Sequence, residues 1–153
     1  MGTFSATRHL PFSARQLFDL AADVAEYPKF VPLCKEARIW DEVTHEDGVK
    51  EFEAALVVAY DKLNIREEFI SEVRADPDAL LVTSHANTGP VKKLTSTWAF
   101  EDTPKHGGTN VTYNVDFKMR SIAMQLVMDA AFKVVVDKVM NAFEARANEL
   151  YKS

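Results

Sequence analysis

The residue types that most often catalyse reactions or bind metals are few in this chain. The single cysteine, Cys34, has no serine-hydrolase or cysteine–histidine signature around it. Gly107-Gly108 has the composition of a hairpin turn and lacks the longer glycine-rich pattern of a phosphate-binding loop. The four histidines are scattered, with no pair at the helical spacing of metal ligands: His9, His45, His85 and His106. We therefore expect no metal, no catalytic residue and no enzymatic activity.

One carboxylate occupies an unusual position. Glu67 follows the same alternation as Leu63, Ile65 and Phe69, which predicts that it points to the apolar side of a strand. A buried carboxylate is costly unless it is paired or protonated. Glu67 is therefore a candidate ligand contact or acid–base group. The alternative is a local bulge, or a pairing with an inward arginine or with Tyr113.

A segment bounded by prolines carries several large apolar side chains, in the order Tyr27-Pro28-Lys29-Phe30-Val31-Pro32-Leu33-Cys34-Lys35. Exposed apolar groups on a connection are unfavourable unless something covers them. The segment is thus a candidate lid over a cavity, or a pad that rests on a membrane or a partner. A simple connector, with Phe30 and Leu33 plugging the core, is the alternative.

Hydrophobic periodicity predicts the elements that position these residues. Residues 3–10 form a first strand, and Ser13 with Gln16 forms a capping box at the start of a helix over 13–25. The period then changes to two over residues 36–118, where turn signals separate about six strands. A long helix is predicted over 121–151. The order is typical of an antiparallel sheet covered by a helix.

The first half of the long helix is more apolar than a surface helix. Twelve of the fifteen residues from Ile122 to Val136 are apolar. The exceptions, Gln125, Asp129 and Lys133, recur every four positions and so form one narrow polar stripe along the helix. We expect this stripe to face water and the remaining, apolar faces of the helix to pack against the protein. A sheet that curls around such a helix leaves a cup-shaped cavity. Met124 and Met128 are candidate lining residues because methionine adapts to varied apolar partners.

Length and charge restrict the possible functions further. The 153 residues predict a single domain over 1–153. The net charge of −5 disfavours binding to bare nucleic acid, but residues 36–78 alone carry five Lys/Arg against thirteen Asp/Glu. Residues 1–35 and 79–153 carry net charges of +1 and +2, so these two parts of the chain are compatible with contact to a membrane or a ribosome.

No signal peptide or bilayer-spanning run is visible, so we expect a cytoplasmic protein, with peripheral contact at the inner face of the membrane.

The proline-bounded segment also carries a family resemblance. Tyr27-Pro28, Phe30-Val31-Pro32 and Cys34 resemble the YPxFVPxC signature of the coenzyme Q-binding proteins of the START-like, helix-grip superfamily. The bacterial ribosome-association toxin family shares this pattern. Val91 departs from it, because family members often have Phe there. The similarity extends over essentially the whole chain, through Gly89-Pro90, Leu94, Trp98-x-Phe100 and Ala142-Phe143-Glu144-x-Arg146-Ala147.

The resemblance implies an α+β helix-grip (START-like) fold, in which a curved antiparallel sheet of about seven strands wraps around a long C-terminal helix. It also implies an apolar tunnel that holds an isoprenoid quinone, ubiquinone in particular. Members of the family bind or chaperone the quinone in support of its biosynthesis and of respiration, without catalysing a reaction. The expected bound ligand is therefore ubiquinone or a related isoprenoid lipid, with no catalytic cofactor.

The expected ligand contacts lie on the inner face of the sheet, on the proline-bounded segment and on the long helix. Glu67, Trp98 and Tyr113 are the candidates for the quinone head. Four lysines, Lys29, Lys35, Lys92 and Lys93, are expected to meet anionic lipid headgroups or a partner. The full set of expected ligand contacts is Phe30, Val31, Leu33, Phe52, Leu56, Leu63, Ile65, Glu67, Phe69, Trp98, Phe100, Tyr113, Val115, Met124, Met128, Phe132 and Val136.

Two other functions remain open at this point. One is a toxin-like factor that binds the large ribosomal subunit and blocks subunit association, for which the basic ends of the chain would be the contact. The other is a polyketide cyclase or dehydratase of the same superfamily, with Glu67 as its acid–base group.

Overall fold

In a computed structural model, residues 2–151 are described, except for the side chain of Leu63. Within this range the chain forms seven strands and two α-helices. Their bounds are β1 Gly2–Leu10, α1 Ala14–Ala22, β2 Cys34–Thr44, β3 Lys50–Tyr60, β4 Ile65–Asp76, β5 Leu81–Ala86, β6 Val91–Asp102, β7 Thr109–Met119 and α2 Ile122–Tyr151. Short 3-10 helices occupy Val24–Lys29 and Asp61–Leu63. The predicted strand, helix, six strands and long helix are confirmed in that order.

The strands form one antiparallel sheet in the order β1-β7-β6-β5-β4-β3-β2. Strands β2 to β7 are a meander, and β1 pairs with β7 as the last strand on that side. The register shifts between Cys34 and Glu36, between Trp40 and Val43, and between Val91 and Lys93. Such irregularities bend strands and increase their twist. The sheet is therefore curved, and its concave face meets α2.

Helix α1 begins as predicted but ends earlier. The Ser13 side chain accepts a hydrogen bond from the Gln16 backbone N–H at 3.1 Å, and the Gln16 side chain accepts one from the Ser13 N–H at 3.2 Å. The predicted end at residue 25 is wrong, because the helix stops at Ala22 and Asp23 has φ −86° and ψ 68°. This change of direction allows Val24 to enter the core, and Pro28 lies within the following 3-10 helix.

The two halves of α2 have different surroundings. From the midpoint of the helix onward, Val136, Met140, Phe143 and Ala147 are buried at spacings of four, three and four residues. The Phe143 ring stacks on Trp98 of β6, with the ring centroids 4.6 Å apart. This half of the helix is therefore anchored in the core of the protein.

In the first half of α2, the side chains that face water differ from those that the polar stripe predicts. The Gln125 side chain turns to the sheet and accepts a hydrogen bond from the Met119 backbone N–H at 2.6 Å. Three apolar side chains face outward instead, with Ile122, Leu126 and Val134 exposed by 84%, 67% and 56%. Asp129 and Lys133 are exposed, as the stripe predicts. The prediction is wrong for Gln125, which satisfies the backbone at the end of β7, and for the apolar side chains that also face water.

Candidate functional site

An apolar cavity of about 240 Å³ lies between the concave face of the sheet, the first half of α2 and the segment 31–34. Strands β3 to β7 supply most of its wall, and α2 closes one side with Met124, Met128, Phe132 and Val135. Because successive side chains of a strand alternate between faces, each strand contributes every second residue. Glu67 lines the cavity and is exposed to solvent, so we infer that water reaches the cavity at this side chain.

Twelve of the expected ligand contacts come together around this cavity. They come from the proline-bounded segment, from the four strands β3, β4, β6 and β7, and from α2. The set is Val31, Leu33, Leu56, Ile65, Glu67, Phe69, Trp98, Tyr113, Val115, Met124, Met128 and Phe132. The inner face that the period-two pattern predicts is therefore the wall of the cavity.

Four other expected contacts lie away from the cavity wall. Phe52, Phe100 and Val136 are buried in the core, at 5%, 5% and 3% exposure. Phe100 meets Phe18 of α1 edge to face at 6.4 Å, so α1 covers this end of the inner sheet face and fills the space there. Phe30 instead packs against Tyr27, with centroids 5.8 Å apart.

The expectations for Leu63 and Glu67 are tested only in part by the described residues. The side chain of Leu63 lies outside the described part of the chain, so its place relative to the cavity stays a prediction. Glu67 faces the cavity, as its alternation predicts, but the expectation that it is buried is wrong. It lies near the start of β4, where the wall of the cavity ends and water reaches the carboxylate.

The four lysines proposed for a membrane or a partner are all exposed. Lys92 and Lys93 are adjacent at the start of β6. Lys29 is engaged locally, because its Nζ lies 2.8 Å from Glu26 Oε2 one helical turn away. Exposed ion pairs of this kind contribute little to stability.

Sequence reasoning missed three serines on the cavity wall, namely Ser71, Ser84 and Ser96. Ser71 lies at an inward position between Phe69 and Val73, and Ser96 lies at the corresponding position between Leu94 and Trp98. The same alternation that identified the apolar lining residues also pointed to the serines. They were overlooked because a hydroxyl does not add to a hydrophobic pattern.

The titratable groups of the cavity, apart from Glu67, are held in their neutral forms. Burial raises the pKa of Tyr113 to about 12 and that of the Cys34 thiol to about 11. Burial also raises the pKa of Tyr27 well above its usual range, and the Tyr27 hydroxyl donates a hydrogen bond to the Ala21 carbonyl oxygen. The charged form is disfavoured in each case because the low-polarity surroundings solvate it poorly. At neutral pH the inner wall is thus apolar with a few neutral hydroxyl groups.

Comparison with known proteins now defines the family. The family model described as "Polyketide cyclase / dehydrase and lipid transport" matches residues 10–144. The chain belongs to this family. Its members include proteins named for cyclase chemistry and for lipid transport, so membership establishes the fold and leaves the activity open.

Similar proteins within the family carry different names. The ribosome association toxin RatA of Rickettsia prowazekii is 33% identical over 99% of this chain and 100% of its own length. The mitochondrial coenzyme Q-binding protein COQ10 of Dictyostelium discoideum is 25% identical over 99% of this chain and 71% of its own length. A START superfamily protein from Mycobacterium smegmatis, 18% identical, superimposes with a TM-score of 0.78 over 97% of this chain and 98% of its own. The START-like, helix-grip fold expected from the resemblance is confirmed.

Proposed function

We propose that the protein binds a hydrophobic ligand, an isoprenoid quinone of the ubiquinone type, in the cavity between sheet and helix. The observation that carries this proposal is an apolar cavity, closed by the core at one end and open at the other, in a family described for lipid transport. Burying an apolar tail there is favourable by about 25 cal/mol per Å² of surface removed from water. The similarity to a coenzyme Q-binding protein supports the choice of a quinone.

In this proposal the protein carries its ligand and leaves it chemically unchanged. Such a carrier supports quinone biosynthesis and delivery, and hence respiration, from the cytoplasm or from the inner face of the membrane. Lys35, Lys92 and Lys93 are exposed and are proposed to meet anionic headgroups there. No helix among the described residues has the length and apolar character that crossing a bilayer requires.

The test is extraction of the natively purified protein. The protein is expressed in a quinone-containing host, and its organic extract is measured by mass spectrometry. We expect a stoichiometric quinone, and we expect Met128→Trp, which adds bulk to the cavity wall, to lose most of it. Leu126→Trp is the matched control, because this residue lies on the outward face of the same helix. Extracts free of quinone, together with no uptake from quinone-loaded liposomes, would refute the proposal.

A second candidate is binding to the large ribosomal subunit with a block of subunit association. The full-length similarity to RatA favours it, and the outward apolar side chains Ile122, Leu126 and Val134 offer a contact surface. Sedimentation profiles after overexpression separate the two functions. A quinone carrier leaves the 70S peak unchanged, whereas a ribosome-binding factor shifts it to separate subunits.

A third candidate is cyclase or dehydratase chemistry, which the family description includes. Glu67 is the one acidic side chain among the described residues of the cavity wall and would be its acid–base group. Turnover of a polyketide substrate that is lost in Glu67→Gln would favour this reaction over simple binding.

A further inference from the structure

Three serine hydroxyls form a polar cluster inside the otherwise apolar cavity. Ser84 of β5 and Ser96 of β6 are direct cross-strand partners, and their Oγ atoms are 2.6 Å apart. Ser71 of β4 is 3% exposed and lines the same wall. Ser71 pairs with Ala86, two residues from Ser84, so the two serines are diagonal neighbours on the inner face. Tyr113 of β7, the cross-strand partner of Trp98, also lines the cavity.

These hydroxyls have more donors than the surrounding protein can use. Within the Ser84–Ser96 pair only one hydroxyl proton is used, so the other remains free. Neither the Ser71 nor the Tyr113 hydroxyl makes a hydrogen bond with a residue in the described range 2–151. Three hydroxyl protons of the cavity wall thus have no acceptor among the described residues. The Ser71 and Tyr113 hydroxyls are not sealed off from the space of the cavity, so the acceptor atom of a ligand can reach them.

The cluster lies deep in the cavity. Glu67 stands at the open end, and Ser71 is four residues further along the same strand, which is about 13 Å of extended chain. The space between them is apolar and is flanked by Phe69, Met124 and Met128. A ligand that reaches the serines therefore extends its remaining length toward the opening.

We propose that Ser71, Ser84, Ser96 and Tyr113 form a head-group subsite for a neutral ligand whose oxygen atoms accept hydrogen bonds, as the carbonyl oxygens of a quinone do. The inference rests on the proposed function and adds the orientation and the selectivity of binding: the head enters first and the tail lies toward the opening. Charged heads are disfavoured, because the described cavity wall around the serines offers no group of opposite charge to pair with them.

The test compares two ligands that differ in the head alone. Decylubiquinone and decylbenzene have the same tail length, but the second has no oxygen. Isothermal titration calorimetry measures both against the wild-type protein, the triple variant Ser71→Ala/Ser84→Ala/Ser96→Ala and the single variant Ser71→Ala. Thr95→Ala is the matched control, because Thr95 neighbours Ser96 but faces the other side of the sheet, where its hydroxyl lies 3.3 Å from His85 Nδ1.

We expect the triple variant to bind decylubiquinone about tenfold more weakly, a change of about 1.4 kcal/mol, and Ser71→Ala to lose a smaller factor. Decylbenzene should bind all the proteins equally, and Thr95→Ala should change neither ligand. Unchanged decylubiquinone binding in both serine variants would overturn the subsite and leave the proposed function intact. Equal losses for the two ligands would also overturn it, since they would indicate a damaged cavity. If the wild type binds neither ligand, the proposed function itself fails.

Discussion

The anchoring of α2 by Phe143 provides a quantitative test of how the helix is held. Phe143 is 1% exposed and packs on Trp98 and Phe100, at centroid distances of 4.6 and 6.2 Å. A buried phenylalanine removes about 150–250 Å² from water, which is worth about 4–6 kcal/mol at 25 cal/mol per Å². Measured truncations of buried phenylalanine to alanine cost about 3–5 kcal/mol. We therefore expect Phe143→Ala to lower the free energy of unfolding by about 3–5 kcal/mol.

Urea unfolding, followed by circular dichroism, measures this loss. With a urea slope of about 2 kcal/mol per molar, the midpoint should fall by about 1.5–2.5 M. Leu126→Ala is the control on the same helix, because Leu126 is 67% exposed and its loss should change stability by less than about 0.5 kcal/mol. A Phe143→Ala loss below about 1 kcal/mol, or equal losses for the two variants, would refute the assignment of an anchored half and an unanchored half.

Three further outcomes follow from the same structure. Iodoacetamide at pH 8 should label Cys34 slowly in the native protein and rapidly in urea, because burial raises the pKa of the thiol to about 11. Intact mass spectrometry measures both labelling rates, and fast labelling of the native protein would contradict the burial of Cys34. Above pH 10 the unfolded chain loses tyrosine protons that Tyr113, with a pKa of about 12, retains, so stability should fall as pH rises from 10 to 12. Urea midpoints measured across this range would contradict the assignment if they stayed constant in wild type, or if they fell as steeply in Tyr113→Phe as in wild type. The double variant Lys92→Gln/Lys93→Gln should weaken cosedimentation of the protein with anionic vesicles. The control Lys105→Gln, which lies in the turn after the other end of β6, should not weaken it. Equal effects of the two variants would argue against a membrane contact at the start of β6.

Much of the candidate site could be predicted from residue alternation. In β4 the pattern assigned Ile65, Glu67 and Phe69 to one face, and all three line the cavity. The same pattern put Phe52 and Phe100 on that face, but α1 covers them. Alternation reports which face a side chain takes. It carries no information on which part of that face another element fills.

The outward face of α2 is a second case that local pattern could not decide. The four-residue recurrence of Gln125, Asp129 and Lys133 identifies a stripe, yet either water or a sheet edge can satisfy polar side chains. The free backbone N–H of Met119 at the end of β7 binds Gln125, and the apolar side chains Ile122 and Leu126 are left outside. The helical period predicts which side chains share a face of the helix. It does not predict whether water or another element of the protein contacts that face.

The sequence alone therefore determined the order of the elements, the inner face of each strand and the family resemblance, because these depend on local periodicity and on short motifs. Tertiary structure decided where the cavity ends, which side of α2 faces water and that Glu67 stands at the opening. It also brought Ser71, Ser84 and Ser96 together. These features arise from strands that are distant along the chain, and their contacts depend on register and on sheet curvature, which no local pattern encodes.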